Sequence, residues 1–263
     1  MPDNNGTAFA QLLDAYRQFL SNQENLTSDE LRLETQVESL RDWSAIHTLE
    51  QLREWYLAQK ENCAMTVTDL PLNECRGWLV DENSGEVRHE SGEFFKVQGV
   101  RVAMSADREV GTGGWDQPMV TQIGYDGGLL GLLRKRIDGV PHYFVEAKAE
   151  PGNPDLVQIS PTLQATFSNL KRAHGGKKPR FAELFEQPED HNATVLFNQW
   201  MSEDGGRLHL KRNKGMLVEV PPDYPINEQD LPTFTWASLY QLKALLKENS
   251  WVNPHIRGII SHL

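Results

Sequence analysis

The sequence has only two cysteines, Cys63 and Cys75, among its 263 residues. Two thiols are too few for a disulfide framework, and neither lies in a metal-ligand motif. We therefore interpret both cysteines as core or near-core thiols, and we predict no metal site.

Long hydrophobic runs are also missing. No stretch approaches the ~18 uninterrupted apolar residues that a membrane helix needs. The N-terminus reads MPDNNGTAFAQLLDAYRQF, which lacks the basic start and apolar run of a signal peptide. These absences favour a cytoplasmic protein with no membrane partner.

Basic residues are outnumbered, with 26 Lys and Arg against 37 Asp and Glu and a net charge of -11. This balance argues against non-specific binding of nucleic acid, so we expect no nucleic-acid partner. Basic runs at residues 134–136, 171–180 and 211–214 can still meet a phosphorylated small molecule. For any one run, a solvated turn or an edge strand is the more ordinary interpretation.

The common catalytic motifs are absent as well. The chain has no Gly-rich phosphate loop, no H-E-x-x-H sequence and no nucleophile elbow. The glycine-rich stretch at residues 126–131 predicts only a hairpin. Evidence for the function of the chain must therefore come from less standard combinations of residues.

Apolar residues recur at helical spacing in the first sixty positions, and Thr48 with Gln51 predicts a capping box at the start of a further helix. From about residue 64, short apolar runs separated by Gly, Asn and Asp turns predict strands instead. We therefore divide the chain into an N-terminal helical segment, residues 1–62, and an α+β domain, residues 63–263. The domain is expected to hold a mixed, mostly antiparallel sheet flanked by helices.

The individual elements follow from the same patterns. The predicted strands are residues 64–68, 86–89, 94–104, 120–123, 129–136, 143–149, 194–201 and 207–220, the last interrupted near 213–215. A helix is predicted after Pro161, with Leu163 on its buried side, and another over residues 237–247. The loop at residues 174–180 is predicted to be mobile.

One strand carries an unusual row of charges. Glu146, Lys148 and Glu150 occupy alternate positions, with alanines between them, so their side chains should share one face of the strand. Such a row is either a solvated edge or the working face of a site. Periodicity leaves both interpretations open.

Other segments combine aromatic, amide and charged side chains, which suit flat polar ligands and phosphate groups. Each segment alone also fits an ordinary packed Trp, helix cap or turn. Their members are Trp115, Gln117 and Gln122, then Thr162, Gln164, Ser168 and Asn169, then Ser202, Glu203 and Arg207.

Taken together, these segments resemble the NDP-hexose 2,3-dehydratase family of deoxysugar biosynthesis. The resemblance runs from about residue 67 to the C-terminus. It is carried by residues 89–95 (HESGEFF), 108–110 (REV), 115–118 (WDQP), 147–152 (AKAEPG), 161–164 (PTLQ), 202–207 (SEDGGR), 236–239 (WASL), 252–253 (VN) and Arg257. It implies a Nudix-like fold without the Nudix metal box.

The resemblance also implies a reaction, the loss of water from a nucleotide-linked 4-keto-6-deoxyhexose without any cofactor. Lys148 would donate to the oxyanion at C4, and Glu150 would transfer a proton, with Glu203 and His89 as reserve acid or base groups. Glu146 lies outside the matched segments and receives no role. The residues expected to bind the substrate are Trp115, Gln117, Gln122, Thr162, Gln164, Ser168, Asn169, Ser202, Arg207, Trp236, Asn253 and Arg257.

Members of the family usually carry two tandem copies of this unit, and this sequence contains one. A homodimer is therefore expected, together with a downstream ketoreductase that consumes the product. Three alternatives stay open: a non-catalytic module that binds nucleotide sugars, a keto-sugar isomerase or epimerase, and an unrelated α+β interaction protein.

Overall fold

A computed structural model describes residues 5–22, 29–103, 113–122, 127–170 and 177–263. Several predictions fall outside these ranges. They concern the REV segment at residues 108–110, part of the hairpin at 126–131, and part of the basic loop at 171–180.

Three helices open the chain: α1 (Asn5–Ser21), α2 (Glu30–Glu38) and α3 (Leu49–Glu61). The capping box predicted for α3 is confirmed, because the Thr48 side chain accepts from the backbone of Gln51 and the Gln51 side chain accepts from the backbone of Thr48. Phe9 of α1 is buried with its ring edge against Trp43, at a centroid distance of 5.4 Å.

A small antiparallel sheet follows. Its strands are β1 (Trp78–Val80), β2 (Val87–His89), β3 (Phe95–Val102) and β4 (Trp115–Gln122), paired in that order. Large apolar side chains remain exposed on this sheet, among them Val80 and Phe95.

The main sheet is built from the rest of the chain. Its strands are β5 (Gly128–Ile137), β6 (Val140–Ala149), β7 (Val157–Ser160), β8 (Leu163–Thr166), β9 (Thr194–Ser202), β10 (Arg212–Val220) and β11 (Phe234–Ala237). The order across the sheet is β11-β6-β5-β10-β9, with β7 paired to β6 and β8 paired to β5. The pairing of β5 with β10 is parallel, whereas the other pairings are antiparallel. The predicted α+β class with a mixed, mostly antiparallel sheet is confirmed, and the Nudix-like description stays a prediction.

Strand β5 lies at the centre of this sheet. Its first residues, Gly128 to Gly131, pair with β8, and its later residues, Leu133 to Ile137, pair with β6. Along its other edge it pairs with β10 from Gly128 to Lys135. Core clusters pack against both faces of β5, and its residues from Gly128 to Arg134 are all buried.

Helices cover the sheet on both faces. The remaining helices are α4 (Phe167–Leu170), α5 (Ala182–Glu186), α6 (Leu239–Leu245) and α7 (Pro254–Ile260). One core cluster joins residues of α3, α6 and α7 to one face, including Tyr56, Leu242 and Ile256. A second cluster joins α5 to the opposite face, including Phe144 and Phe185.

Three predicted elements are wrong. Residues 64–68 form no strand, since they are mostly exposed and pair with no other strand. The helix predicted after Pro161 is wrong for Leu163–Thr166, which form strand β8 with Leu163 and Ala165 buried and Gln164 partly buried, whereas Phe167–Leu170 do form the helix α4. Strand β10 runs through residues 213–215 without interruption, because that stretch pairs continuously with β5.

A buried ionic cluster joins α2 to the main sheet. Arg134, which is 1% exposed, meets Glu34, Glu38 at 2.8 Å and Glu219 at 2.6 Å. Tyr143 donates to Glu38 at 2.9 Å. Burial raises the pKa of Glu38 to about 7, although Arg134 acts in the opposite direction. The Arg134 guanidinium therefore pairs with the buried carboxylate of Glu38, whereas Glu34 also pairs with Arg136 at 2.7 Å.

Replacement of Arg134 tests this cluster. We expect Arg134→Met to lower the free energy of unfolding by about 3–5 kcal/mol, because it leaves buried carboxylates without their cation. Arg101→Met is the matched control, since Arg101 pairs with Asp116 at 2.8 Å but the two side chains are 84% and 61% exposed. Urea denaturation measures both. An equally small decrease in the free energy of unfolding for the two variants would contradict the stabilising role of the cluster.

Candidate functional site

A cavity of about 440 Å³ lies where the small sheet meets the main sheet. Polar and apolar side chains converge on it from β3, β4, β8 and β10 and from the segments that follow β6 and β9. Its lining includes Phe94, Phe95, Thr121, Gln122, Gly128, Leu130, Glu150, Gln164, Thr166, Ser168, Asn169, Glu203, Leu208, Lys211, Asn213 and His255. The mixture of apolar walls and a few convergent polar groups is typical of a ligand site.

Glu150 enters the cavity directly after the end of β6. Its backbone N–H donates to the carbonyl of Leu156 at 2.9 Å, which fixes the turn between β6 and β7. Its side chain accepts a hydrogen bond from Nε2 of Gln164 on β8 at 2.9 Å. The carboxylate is therefore held by two neighbouring parts of the main sheet.

A second carboxylate, Glu203, follows the end of β9. It accepts a hydrogen bond from the amide of Asn213 on β10. Next to it, Lys211 donates from Nζ to Oε1 of Gln122 at 2.6 Å, so the ammonium also contacts the last residue of β4. Lys211 and Asn213 lie two positions apart, as two side chains on one face of an extended chain do.

His255 completes the group of ionisable side chains. It lies at the second position of α7, and its Nδ1 is 4.0 Å from Oε1 of Glu203. Burial lowers the pKa of His255 and Lys211 lowers it further, while Glu203 and Glu150 act in the opposite direction. Burial also lowers the pKa of Lys211. The two carboxylates, the imidazole and the ammonium thus form one interacting set.

The three alternating charged residues Glu146, Lys148 and Glu150 line two different sites. Lys148 and Glu146 are 3.4 Å apart and line a neighbouring groove of about 400 Å³ with Arg180. Gln164 lines both this groove and the cavity. Glu146 and Lys148 are each largely buried, and burial raises the pKa of Glu146. The row is therefore no solvated edge.

The predicted site residues are distributed unevenly. The cavity brings together Glu150, Glu203, Gln122, Gln164, Ser168 and Asn169. His89 lies on β2 with its ring against Phe94, which does line the cavity. Trp115 donates to Gln117 at 2.6 Å, and Gln117 donates to the carbonyl of Gly206 at 3.0 Å, so Gln117 links Trp115 to the connection between β9 and β10.

Five further predicted residues lie elsewhere. Thr162 is buried and receives a hydrogen bond from the backbone of Leu133 at 2.8 Å. Trp236 is fully buried in the core and donates to Glu228. Ser202 and Arg207 are exposed, and Arg257 lines a different groove. The binding roles of these residues stay predictions.

Asn253 lies beneath the cavity and is almost fully buried. It caps α7 by accepting from the backbone of Ile256 at 3.0 Å. Its amide donates to Ser160 at 2.7 Å and reaches Gln164 at 3.3 Å. Asn253 therefore supports residues that line the cavity.

Sequence reasoning missed several polar lining residues, among them Lys211, Asn213 and His255. Lys211 and Asn213 occupy alternate positions in a run interpreted as a turn or an edge strand. This alternation indicates that the two side chains share one face of an extended chain. The Asn-Pro pair at residues 253–254 also signals a helix start, because Asn is a favoured N-cap and Pro a favoured first residue. That signal would have placed His255 in the first turn of α7.

Within the described ranges, no three His, Cys, Asp or Glu side chains are grouped as metal ligands. In the same ranges, no helix has the length and apolar character needed to cross a membrane.

Residues 49–263 match the model of a family described as NDP-hexose 2,3-dehydratase. Relatives named dTDP-4-dehydro-6-deoxy-alpha-D-glucopyranose 2,3-dehydratase occur in Amycolatopsis orientalis, 35% identical over 217 residues, and in Streptomyces violaceoruber, 35% identical over 209 residues. A third, from Saccharopolyspora spinosa, is 36% identical over 192 residues. The matches cover 81%, 80% and 73% of this chain, but only 44%, 45% and 37% of the relatives. The chain spans less than half the length of these curated relatives.

The electrostatic coupling within the cavity can be measured without a ligand. We expect Lys211→Gln to raise the pKa of His255, because it removes a nearby positive charge, and Glu203→Gln to lower that pKa. Lys148→Gln is the matched control, since Lys148 lies in the neighbouring groove. NMR titration of the His255 ring protons measures each shift. Equal shifts of the His255 pKa in Lys211→Gln and Lys148→Gln would contradict the placement of Lys211 beside His255 in the cavity.

Proposed function

Because the chain belongs to the NDP-hexose 2,3-dehydratase family, we propose that it removes water from dTDP-4-keto-6-deoxyglucose or a close analogue. The product is a 3,4-diketo-2,6-dideoxy sugar that stays linked to the nucleotide. One observation carries the proposal: Glu150, Glu203, Lys211 and His255 line a single cavity of the size of a small ligand.

The chemistry requires three kinds of group. A base removes the hydrogen at C3, which is acidic because C3 neighbours the C4 ketone. Negative charge then develops on the C4 oxygen, and a hydrogen-bond donor or cation stabilises it. An acid protonates the C2 hydroxyl as it leaves, and the resulting enol becomes the diketone.

Glu150 is the proton-transfer group of this proposal. Its support is its position in the cavity and its hydrogen bond from Gln164, which fixes the carboxyl group. Two lysines can donate to the C4 oxyanion. Lys148 follows from the sequence resemblance, whereas Lys211 lines the same cavity as Glu150.

The amides around the cavity suit the hydroxyl groups of the sugar. Gln122, Gln164 and Asn169 supply donors and acceptors there, and Phe94 and Phe95 supply apolar surface on the side of the small sheet. A nucleotide-sugar substrate also agrees with a cytoplasmic protein and with a ketoreductase that consumes the diketone.

An activity assay tests the proposed reaction. The purified chain is incubated with dTDP-4-keto-6-deoxyglucose, a ketoreductase and NADPH, and mass spectrometry detects the nucleotide-linked product. We expect a 2-deoxy keto sugar, lighter than the directly reduced substrate by one water molecule. If a folded protein that binds the substrate gives only product that retains the C2 hydroxyl, dehydration is overturned.

Single substitutions test the residues. We expect Glu150→Gln to lower kcat by a factor of about 100 or more, because the amide cannot donate or accept the proton as a carboxyl does. Lys148→Ala and Lys211→Ala compare the two candidate oxyanion donors, and the true donor should show the larger loss of kcat. If the single variants Lys148→Ala and Glu150→Gln both keep full activity, the roles predicted for these two residues from the sequence are wrong.

We also propose that two copies of the chain associate. The support is the resemblance to a family whose members usually carry this unit twice, since a two-fold interface reuses one patch on both copies. Sedimentation velocity should give about twice the chain mass of 29.9 kDa. A monomer that retains full activity would contradict the proposal.

A further inference from the structure

We propose that His255 is the base that removes the C3 proton and that Glu203 holds the imidazole in position. This assignment rests on the proposed function, because it takes a 4-keto sugar as the ligand of the cavity. His255 appears in none of the motifs that carry the resemblance, so its role comes from geometry alone.

The two side chains face each other across the cavity wall. Nδ1 of His255 lies 4.0 Å from Oε1 of Glu203, and the side chains are 23% and 20% exposed. Catalytic hydrogen bonds are often longer than normal in the absence of substrate and shorten when it binds. A carboxylate next to Nδ1 favours the tautomer with its proton on that nitrogen, which leaves Nε2 free to accept a proton.

Burial keeps the imidazole in its basic form. Burial lowers the pKa of His255, and Lys211 acts in the same direction, while Glu203 and Glu150 oppose them. The group is therefore neutral at pH 7. The Glu203 carboxylate, which raises the pKa of His255, also stabilises the imidazolium once it holds the proton.

The position of both residues is fixed by buried polar contacts. Asn253 caps the helix that carries His255, and its amide is anchored by Ser160 at 2.7 Å. On the other side, Asn213 of β10 holds the carboxylate of Glu203. Helix α7 thus carries the base, and Asn213 of the main sheet holds its partner, which suits the precise geometry that proton transfer needs.

The proton balance divides the reaction between two residues. Nε2 of His255 takes the proton from C3, and the C–H electron pair forms the enolate of the C4 ketone. The enolate electrons then form the C2–C3 double bond as the C2–O bond breaks, and Glu150 donates a proton to the leaving oxygen. Water departs, His255 is left as the cation and Glu150 as the carboxylate, and nothing is oxidised overall.

Two separate readouts test this assignment. Incubation of the wild type with dTDP-4-keto-6-deoxyglucose in D2O reports loss of the C3 hydrogen by NMR, and the ketoreductase assay reports loss of water. We expect His255→Ala to slow the loss of the C3 hydrogen by about 100-fold or more, with binding of dTDP unchanged. Added imidazole should restore part of the rate. Glu150→Gln, in which His255 is intact, should lose water slowly but keep C3 exchange.

His262 provides a matched control, because its ring stacks on Phe197 away from the cavity. His262→Ala should keep the wild-type rate. Glu203→Gln tests positioning: the acidic limb of the kcat/KM profile should move to lower pH, because Glu203 raises the pKa of His255. A merely structural role of Glu203 would leave that limb in place.

The outcomes separate the two proposals. Exchange at C3 that depends on His255, without loss of water, would overturn dehydration but support His255 as the base. Loss of water at the wild-type rate in His255→Ala would overturn this inference and leave dehydration intact. Absence of both reactions in the folded wild type would overturn both.

Discussion

The parallel pairing of β5 with β10 is the constraint on which the site depends. It places Gly128 opposite Asn213, although 85 positions separate them in the sequence. Little space is left between these strands and β8, since a Cβ at Gly128 would lie 2.7 Å from the carbonyl oxygen of Ala165 and 2.9 Å from Oδ1 of Asn213. Any larger residue at this position would push the floor of the cavity and the support of Glu203 apart.

Electrostatics within the cavity follows from that packing. Two carboxylates, one ammonium and one imidazole line one cavity within the protein, where the effective dielectric is lower than in water, so each influences the protonation of the others more strongly than it would in solvent. The buried cluster around Arg134 is the structural counterpart of this arrangement. There, every charged group is held by ion pairs or hydrogen bonds, whereas the cavity keeps its charges beside open space.

The sequence predicted local features better than long-range ones. The capping box of Thr48 and Gln51 depends on residues three positions apart and is correct. Helical spacing from Leu163 onward predicts a helix that the structure shows only from Phe167 to Leu170, because pairing with β5 makes Leu163–Thr166 a strand. Glu150, Glu203 and Gln164 were named from motifs and lie in one cavity. His255 and Lys211 were missed because only the packing of α7 and β10 brings them there.

The connection between β9 and β10 has a consequence for the size of ligand that can be accepted. It bridges to β4 through the backbone of Val120, the hydroxyl of Thr121 and the side chains of Gln117 and Gln122. The same connection carries Glu203 and Lys211. Widening the cavity would therefore break several of these hydrogen bonds at once, so the connection fixes the distance between the two sheets. A ligand too bulky for the cavity would have to separate the two sheets at the cost of these bonds.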